Sequence, residues 1–390
     1  MMPSHSISSL PDPPATEREH SARVVDAVRE EIARSGGWIS FAHYMQIVLY
    51  APGLGYYVAG ARKFGPAGDF VTAPETTKLF AQALAAQVAP ILAVTAAHEI
   101  VELGAGSGAL AADLLNALAK LDALPSRYAI VEVSPDLRER QRASVARIAP
   151  DHAARVEWLD ALPAAIDGAV VMNEVLDAIP PHLIVRRNGQ WLERGVTCGV
   201  SLKWEDRPLD DESMRALAAE RFPAAGDYVS EVNPAAEALV EDVGRRMTGG
   251  ALLVIDYGFP QAEYYHPQRG EGTLMGHYRH HAHANPFLWP GLSDLTAHVD
   301  FTAVALAGER AGLEVAGYAP QAAFLLGCGI LDRLRETGDP ASVGHVREAA
   351  AVHKLTSPAE MGELFKVLAL AKSDPIEWPG FALADRSHRL

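Results

Sequence analysis

Four short phrases carry side chains that could hold a nucleotide-like ligand and act beside it. The first, "EIVELGAGSGALAADLL", is an apolar run ending in an acid, then alternating glycines, then leucines at helical spacing. That order predicts a strand, a tight turn and a helix, with Gly104, Ala105, Gly106 and Gly108 in the turn. Glycines let the backbone turn sharply and approach a ligand, while the helix start presents free N–H groups. Two ligand classes use such a turn: dinucleotides, through their pyrophosphate, and S-adenosylmethionine (SAM), through its methionine portion. Glu102, just before the turn, would oppose a pyrophosphate but attract the SAM ammonium, so it favours SAM. In the second phrase, "YAIVEVSPDLRERQ", the apolar run ends at Glu132, with Val133 and Ser134 next. An acid there can bind both ribose hydroxyls, in either ligand class. The third phrase, "EWLDAL", puts Asp160 and Ala161 where an adenine amine could be held, or Asp160 could simply cap a helix. The fourth, "NEVLDAIPP", gathers Asn173, Glu174 and Asp177.

These phrases need a scaffold that lines up the ends of successive strands. From about residue 98 strands alternate with helices, the pattern of a parallel sheet covered on both faces. Strands are predicted at 98–103, 128–133, 155–158, 168–173, 251–256, 313–318 and 365–372. In open sheets of this kind ligands collect outside the carboxyl ends of the strands. Upstream, "SARVVDAVREEIARSGG" places Val24, Val25, Val28 and Ile32 on one helical face and stops at glycines. A stretch rich in aromatics and glycine follows, then a helix predicted over 74–88. Two segments interrupt the alternation. Residues 183–204 alternate around an "RNGQ" turn and predict a β-hairpin, whereas 264–299 have little periodicity and many histidines.

Composition narrows the function classes. The 390 residues are 49% hydrophobic, enough for a large core, and 34 basic against 49 acidic residues give a formal charge of -15. That balance lacks the electrostatic footprint of a nucleic-acid binder. Cys198 and Cys328 are too far apart for a metal knuckle and suggest no disulfide framework, which fits a reducing compartment. No apolar run approaches the roughly 20 residues of a membrane span. The first 20 residues read as a disordered tail without secretory or transit features. The expected location is a bacterial cytoplasm, or a mitochondrial matrix only if a transit peptide is missing from this chain.

Several phrases together resemble the MidA-like family of SAM-dependent methyltransferases, which includes a mitochondrial complex I assembly-factor arginine methyltransferase. They are "FAHYMQIVLYAPGLGYY", "GDFVTAPE", "VELGAGSGAL", "VEVSPDLRERQ", "NEVLDAIP", "VIDYG" and "PGLSDLTAHVDF". The resemblance runs over residues 41–372 and departs at "PETTKLFAQ" and at the end of the chain. It implies an α/β fold: a Rossmann-like, seven-stranded class I methyltransferase sheet whose last strand, 365–372, is antiparallel. The expected domains are an N-terminal helical or lid region over 21–95 and a methyltransferase domain over 96–390, with insertions at about 183–230 and 260–300. The resemblance also implies SAM as cofactor and a protein arginine as acceptor, in a subunit of respiratory complex I.

Methyl transfer to an arginine asks for carboxylates that grip a guanidinium. Glu174 and Asp177 are the candidates, with Asn173 touching the cofactor or positioning the substrate; a structural role in the loop before Pro180 and Pro181 is the alternative. Gly68, Asp69, Thr72 and Glu75 are expected in a lid, with Glu75 near the cofactor and Tyr44, Tyr56 and Tyr57 packing or lining the pocket. The "GHYRHHAH" histidines have no cysteine to complete a familiar metal set, so no metal is expected. His298 and Asp300 read as a substrate-facing pair or, preferably, as a helix cap. A protein partner is expected and a nucleic-acid partner is not; a homodimer is compatible. A small-molecule methyltransferase and a SAM-binding assembly factor without turnover are the competing functions.

Overall fold

The computed structural model describes residues 10–59, 72–372 and 375–390. The chain divides into two units. The first takes Met1–Phe70, Asp177–Ala236 and Gln261–His298; the second takes Val71–Leu176, Glu237–Pro260 and Val299–Leu390.

The second unit contains the alternating pattern. Its main strands are β1 (Glu99–Leu103), β2 (Arg127–Val131), β3 (Val156–Leu159), β4 (Ile166–Asn173), β5 (Met247–Phe259), β6 (Glu314–Pro320) and β7 (Phe365–Ala371). They lie in the order β6-β7-β5-β4-β1-β2-β3, and a short strand, Val299–Asp300, pairs with the end of β5. The pairs β5–β4, β4–β1, β1–β2 and β2–β3 are parallel, while β7 runs antiparallel to β5 and β6. The expected sheet with an antiparallel last strand is therefore present. Ala169–Met172 and Leu252–Ile255 are wholly buried, because helices cover both faces and the strands read as continuous apolar runs.

The strand order decides where a ligand can sit. The chain leaves β1 toward β2 and β3, then returns to β4 on the other side of β1. The loops after β1 and β4 therefore diverge from neighbouring strands, which leaves a crevice at the carboxyl edge. The helices Lys78–Ala93 and Ala109–Lys120 pack together against this sheet and share one apolar core with it.

One helix differs from expectation. Residues 74–88 do not form a single helix: Ala73–Thr76 is a short turn of helix, Thr77 is extended, and a second helix runs Lys78–Ala93. Thr77 breaks the run because its hydroxyl accepts the Leu79 N–H (3.0 Å) and starts the second helix anew.

The first unit packs the helices Ala15–Arg34 and Phe41–Tyr50 with a mostly antiparallel sheet, and Val24, Val28, Ile32, Phe41 and Tyr44 are buried together. The first helix begins at Ala15, after Pro13 and Pro14, so residues 15–20 belong to it and not to a disordered tail. The predicted hairpin pairs His182–Arg187 with Gln190–Cys198 across Asn188 and Gly189, both at positive φ, the geometry of a type I′ turn. A further strand, Leu202–Pro208, extends it. The 264–299 stretch holds structure that its sequence did not announce. Met275–Tyr278, His281–His283 and Asp294–Thr296 form a small antiparallel sheet. These strands are too short to show alternation, and their turn uses Arg279 and His280 at positive φ instead of glycine or asparagine. Among the described residues, no helix is long and apolar enough to cross a membrane.

Candidate active site

The end of β1 builds the first wall of the site, in the second unit. Gly104, Gly106 and Gly108 all have left-handed φ (68°, 52° and 77°), which L side chains adopt only with strain. A Cβ on Gly104 would also stand 2.7 Å from Val175 Cγ2, so the loop after β4 rests directly on the turn. The helix Ala109–Lys120 then starts at Gly108 with no side chain capping it, leaving its first N–H groups to a ligand. Glu102 is buried beneath the turn and accepts a hydrogen bond from Tyr128 Oη (2.8 Å). Burial pushes its pKa up to about 7, and the tyrosine hydrogen bond opposes that rise.

The next two strand ends add a second wall. One oxygen of Glu132 accepts the Ser134 N–H (2.8 Å) and the other accepts Gln141 Nε2 (3.1 Å). Ser134 caps the helix Pro135–Ile148, and Val133 projects 72% exposed beside it. Asp160 and Ala161 lie exposed after β3. Arg138 donates both to Asp160 (2.6 Å) and to the Glu132 carbonyl (2.6 Å), tying the two loops together. Asp160 caps nothing, since the chain passes from its loop into β4 without a helix.

The third wall is the end of β4. Glu174 is held at φ 54° although it is not glycine. Its Oε1 accepts the Ala73 N–H (3.2 Å) and Asn173 Nδ2 (3.1 Å), and its own N–H donates to the Ile255 carbonyl (2.8 Å). A strained backbone persists only where its surroundings enforce it, and such positions cluster at functional sites. Asn173 is 8% exposed, and its Oδ1 is a buried acceptor without a partner among the described residues. Glu75 lies on the short helix Ala73–Thr76, which packs against the helix that leaves the glycine turn. Gly68 and Asp69 lie outside the described residues.

Asp177 is in the first unit. It is 5% exposed, and its carbonyl accepts the Ala297 N–H (3.0 Å). Its charge acts on Tyr57, which donates to Asp294 (2.7 Å) and stacks on Tyr50. Burial, then Asp294, Tyr50 and Asp177, hold the Tyr57 phenol well above its usual pKa. Tyr44 and Tyr56 are core residues, Tyr44 donating to the Pro286 carbonyl (2.7 Å). Asp300 caps the helix Phe301–Arg310 through the Thr302 and Ala303 N–H groups. His277 and His283 have lowered pKa values through burial, and among the described residues no group of three metal-ligating side chains converges.

Sequence reasoning passed over three residues. Asp256, at the end of β5, is 1% exposed, and its Oδ2 accepts the Val175 (3.2 Å) and Leu176 (3.0 Å) N–H groups. It fixes the loop that carries Glu174. Its signal was the acid closing the apolar run of "VIDYG", the same pattern that marks Glu102 and Glu132. Gln141 is wholly buried between Leu137 and Val145 on one helical face, where a polar side chain is out of place. Asp294 had no local signal, because its importance comes from Tyr57 far away in sequence.

The residues fit SAM on three observations of this chain: an uncapped helix start behind left-handed glycines, a carboxylate fixed through both oxygens, and the orphaned acceptor of Asn173. Known proteins agree. Residues 83–319 match a family described as "Putative S-adenosyl-L-methionine-dependent methyltransferase". The mouse mitochondrial protein arginine methyltransferase NDUFAF7 is 30% identical over 86% of this chain and 82% of its own length; the human protein is 29% identical over 86% and 81%. A crystal structure of a Burkholderia thailandensis protein bound to S-adenosyl-homocysteine (SAH) is 48% identical, covers 98% of this chain and 100% of that one, and superposes with a TM-score of 0.94. On this sheet, this turn and these relatives, the chain belongs to the MidA-like family of SAM-dependent methyltransferases.

Proposed function

We propose that this chain methylates a guanidinium nitrogen of an arginine in a protein, with a subunit of respiratory NADH dehydrogenase as the acceptor that the family resemblance implies. The observation that carries the reading is Glu174: a carboxylate at the end of β4, held at left-handed φ, with one oxygen fixed by the Ala73 N–H and Asn173 Nδ2. Left-handed backbone at a non-glycine residue costs about 1–2 kcal/mol, so its orientation is enforced by the fold. The names of the mouse and human relatives, protein arginine methyltransferases, support a protein arginine as the acceptor.

SAM, when bound, supplies a methyl group activated by a positively charged sulfur. Glu102 is the counter-charge for its ammonium, and the helix start at Gly108 faces its carboxylate. Glu132, beside Val133 and Ser134, takes the ribose hydroxyls, and Asp160 with Ala161 takes the adenine amine. Glu75 and Asn173 Oδ1 complete that side. A guanidinium is charged at neutral pH and a poor nucleophile. Glu174 orients one of its nitrogens, draws the positive charge toward itself and accepts the proton which that nitrogen loses as its new N–C bond forms and the methyl's bond to sulfur breaks, its electron pair staying on the sulfur of the departing S-adenosyl-homocysteine.

The test is radiolabelled SAM with cell extract, followed by acid hydrolysis of the labelled protein. Label recovered as methylarginine, and reduced about 10²–10⁴-fold in turnover by Glu174→Gln with SAH affinity within threefold, is the expected result. Label confined to small molecules, or SAH binding without any transfer, would replace this reading by a small-molecule enzyme or by an assembly factor.

A further inference from the structure

We infer that Gln141 is the positioning residue that sets the affinity of this site for a vicinal diol. Its amide spans three strand-end segments. Nε2 donates to the Gly106 carbonyl in the turn after β1 (3.1 Å) and to Glu132 Oε2 after β2 (3.1 Å). Oε1 accepts the indole N–H of Trp158 on β3 (2.9 Å). The side chain is 0% exposed, so water cannot replace any of these partners.

The chemistry leaves one orientation. An indole nitrogen only donates, while a carboxylate and a carbonyl only accept. Turning the amide over would set NH₂ against N–H and oxygen against two oxygens, three repulsive contacts in a buried place. Trp158 therefore reads the orientation of Gln141, and Gln141 in turn aims Glu132. With Oε1 of Glu132 on the Ser134 N–H and Oε2 on Gln141, the carboxylate plane is locked. A carboxylate held in that way can present both oxygens to two adjacent hydroxyls at once. The same amide fixes the Gly106 carbonyl, and a Cβ on Gly108 would lie 3.0 Å from Gln141 Cα, so the turn and the diol-binding acid are set by one side chain.

The inference rests on Glu132 holding the ribose, and the experiment separates the two. Calorimetric titration with SAH and with its 2′-deoxy analogue is carried out on the wild type, Gln141→Met and Trp158→Phe. The wild type is expected to bind SAH at least about tenfold more tightly than the deoxy analogue, the worth of one charge-assisted hydrogen bond. In Gln141→Met that ratio falls to within about twofold, and in Trp158→Phe it takes an intermediate value. A variant that merely loosens the fold would weaken both ligands alike and keep the ratio. If the wild type discriminates and both variants keep its full ratio, the role of Gln141 is overturned. If the wild type itself does not discriminate, the Glu132 reading falls, and this inference with it. Should Gln141→Met not fold, Trp158→Phe decides alone: the smaller ring removes the orienting N–H together with some packing, and the lost packing weakens both ligands alike while leaving their ratio unchanged.

Discussion

Replacing Gly104 by alanine puts two separable strains into the cofactor turn. The first is conformational: at φ 68° an L residue pays about 1–2 kcal/mol. The second is steric: the new Cβ would meet Val175 Cγ2 at 2.7 Å. Val175 is β-branched and stiff at χ1, and Asp256 anchors its N–H (3.2 Å), so the methyl cannot easily withdraw. Overpacking of that kind costs about 1–3 kcal/mol. Together they predict a loss of roughly 2–5 kcal/mol in the second unit. A folding unit of that size shifts by about 2–4 °C per kcal/mol, which puts the fall in Tm at roughly 4–20 °C. SAH affinity should fall at least about tenfold as the turn moves. Urea unfolding followed by circular dichroism measures the first quantity and calorimetry the second. The double variant Gly104→Ala/Val175→Ala dissects them: it should regain the steric part relative to the sum of the single variants and leave the conformational part. A Gly104→Ala protein within about 0.5 kcal/mol of the wild type would refute the reasoning, and so would a cycle without coupling, since the turn would then tolerate both a side chain and its contact.

Two buried titratable groups give further tests. Glu102, raised to about 7 mainly by burial, binds a proton in the folded chain that the unfolded chain has released above its ordinary 4.5. Its contribution to stability is present at pH 4.5 and lost as pH rises to about 7. A SAM ammonium favours the ionised form, so binding near pH 6 should release a proton; titrations in buffers of different ionisation enthalpy should show that release, absent in Glu102→Gln. In the first unit His277, partly buried, is lowered to about 4, chiefly by burial and then by His283. Its contribution is present above about pH 6.5 and is lost as pH falls to about 4, on the order of 2 kcal/mol. Urea midpoints measured across that window should flatten in His277→Phe; an unchanged slope would remove this histidine from the acid sensitivity.

The amino-acid sequence alone determined the β/α alternation, the glycine turn and the acids that close apolar runs. These are local signals: a buried parallel strand must be apolar throughout, and a left-handed turn before an uncapped helix needs glycine. Even the antiparallel last strand was readable, though through family resemblance and not through periodicity. Tertiary structure decided the rest. Whether Gln141 touches Glu132 and the turn depends on how the helix Pro135–Ile148 lies over β1–β3. That Asp256 holds the backbone after β4 depends on which strands become neighbours. Asp177 and Glu174, three positions apart in one phrase, fall in different units, and the Tyr57–Asp294 contact joins positions hundreds of residues apart only by folding. Residue type and spacing report what a segment can do by itself. Hydrogen bonds between segments exist only once the strand order has chosen their neighbours.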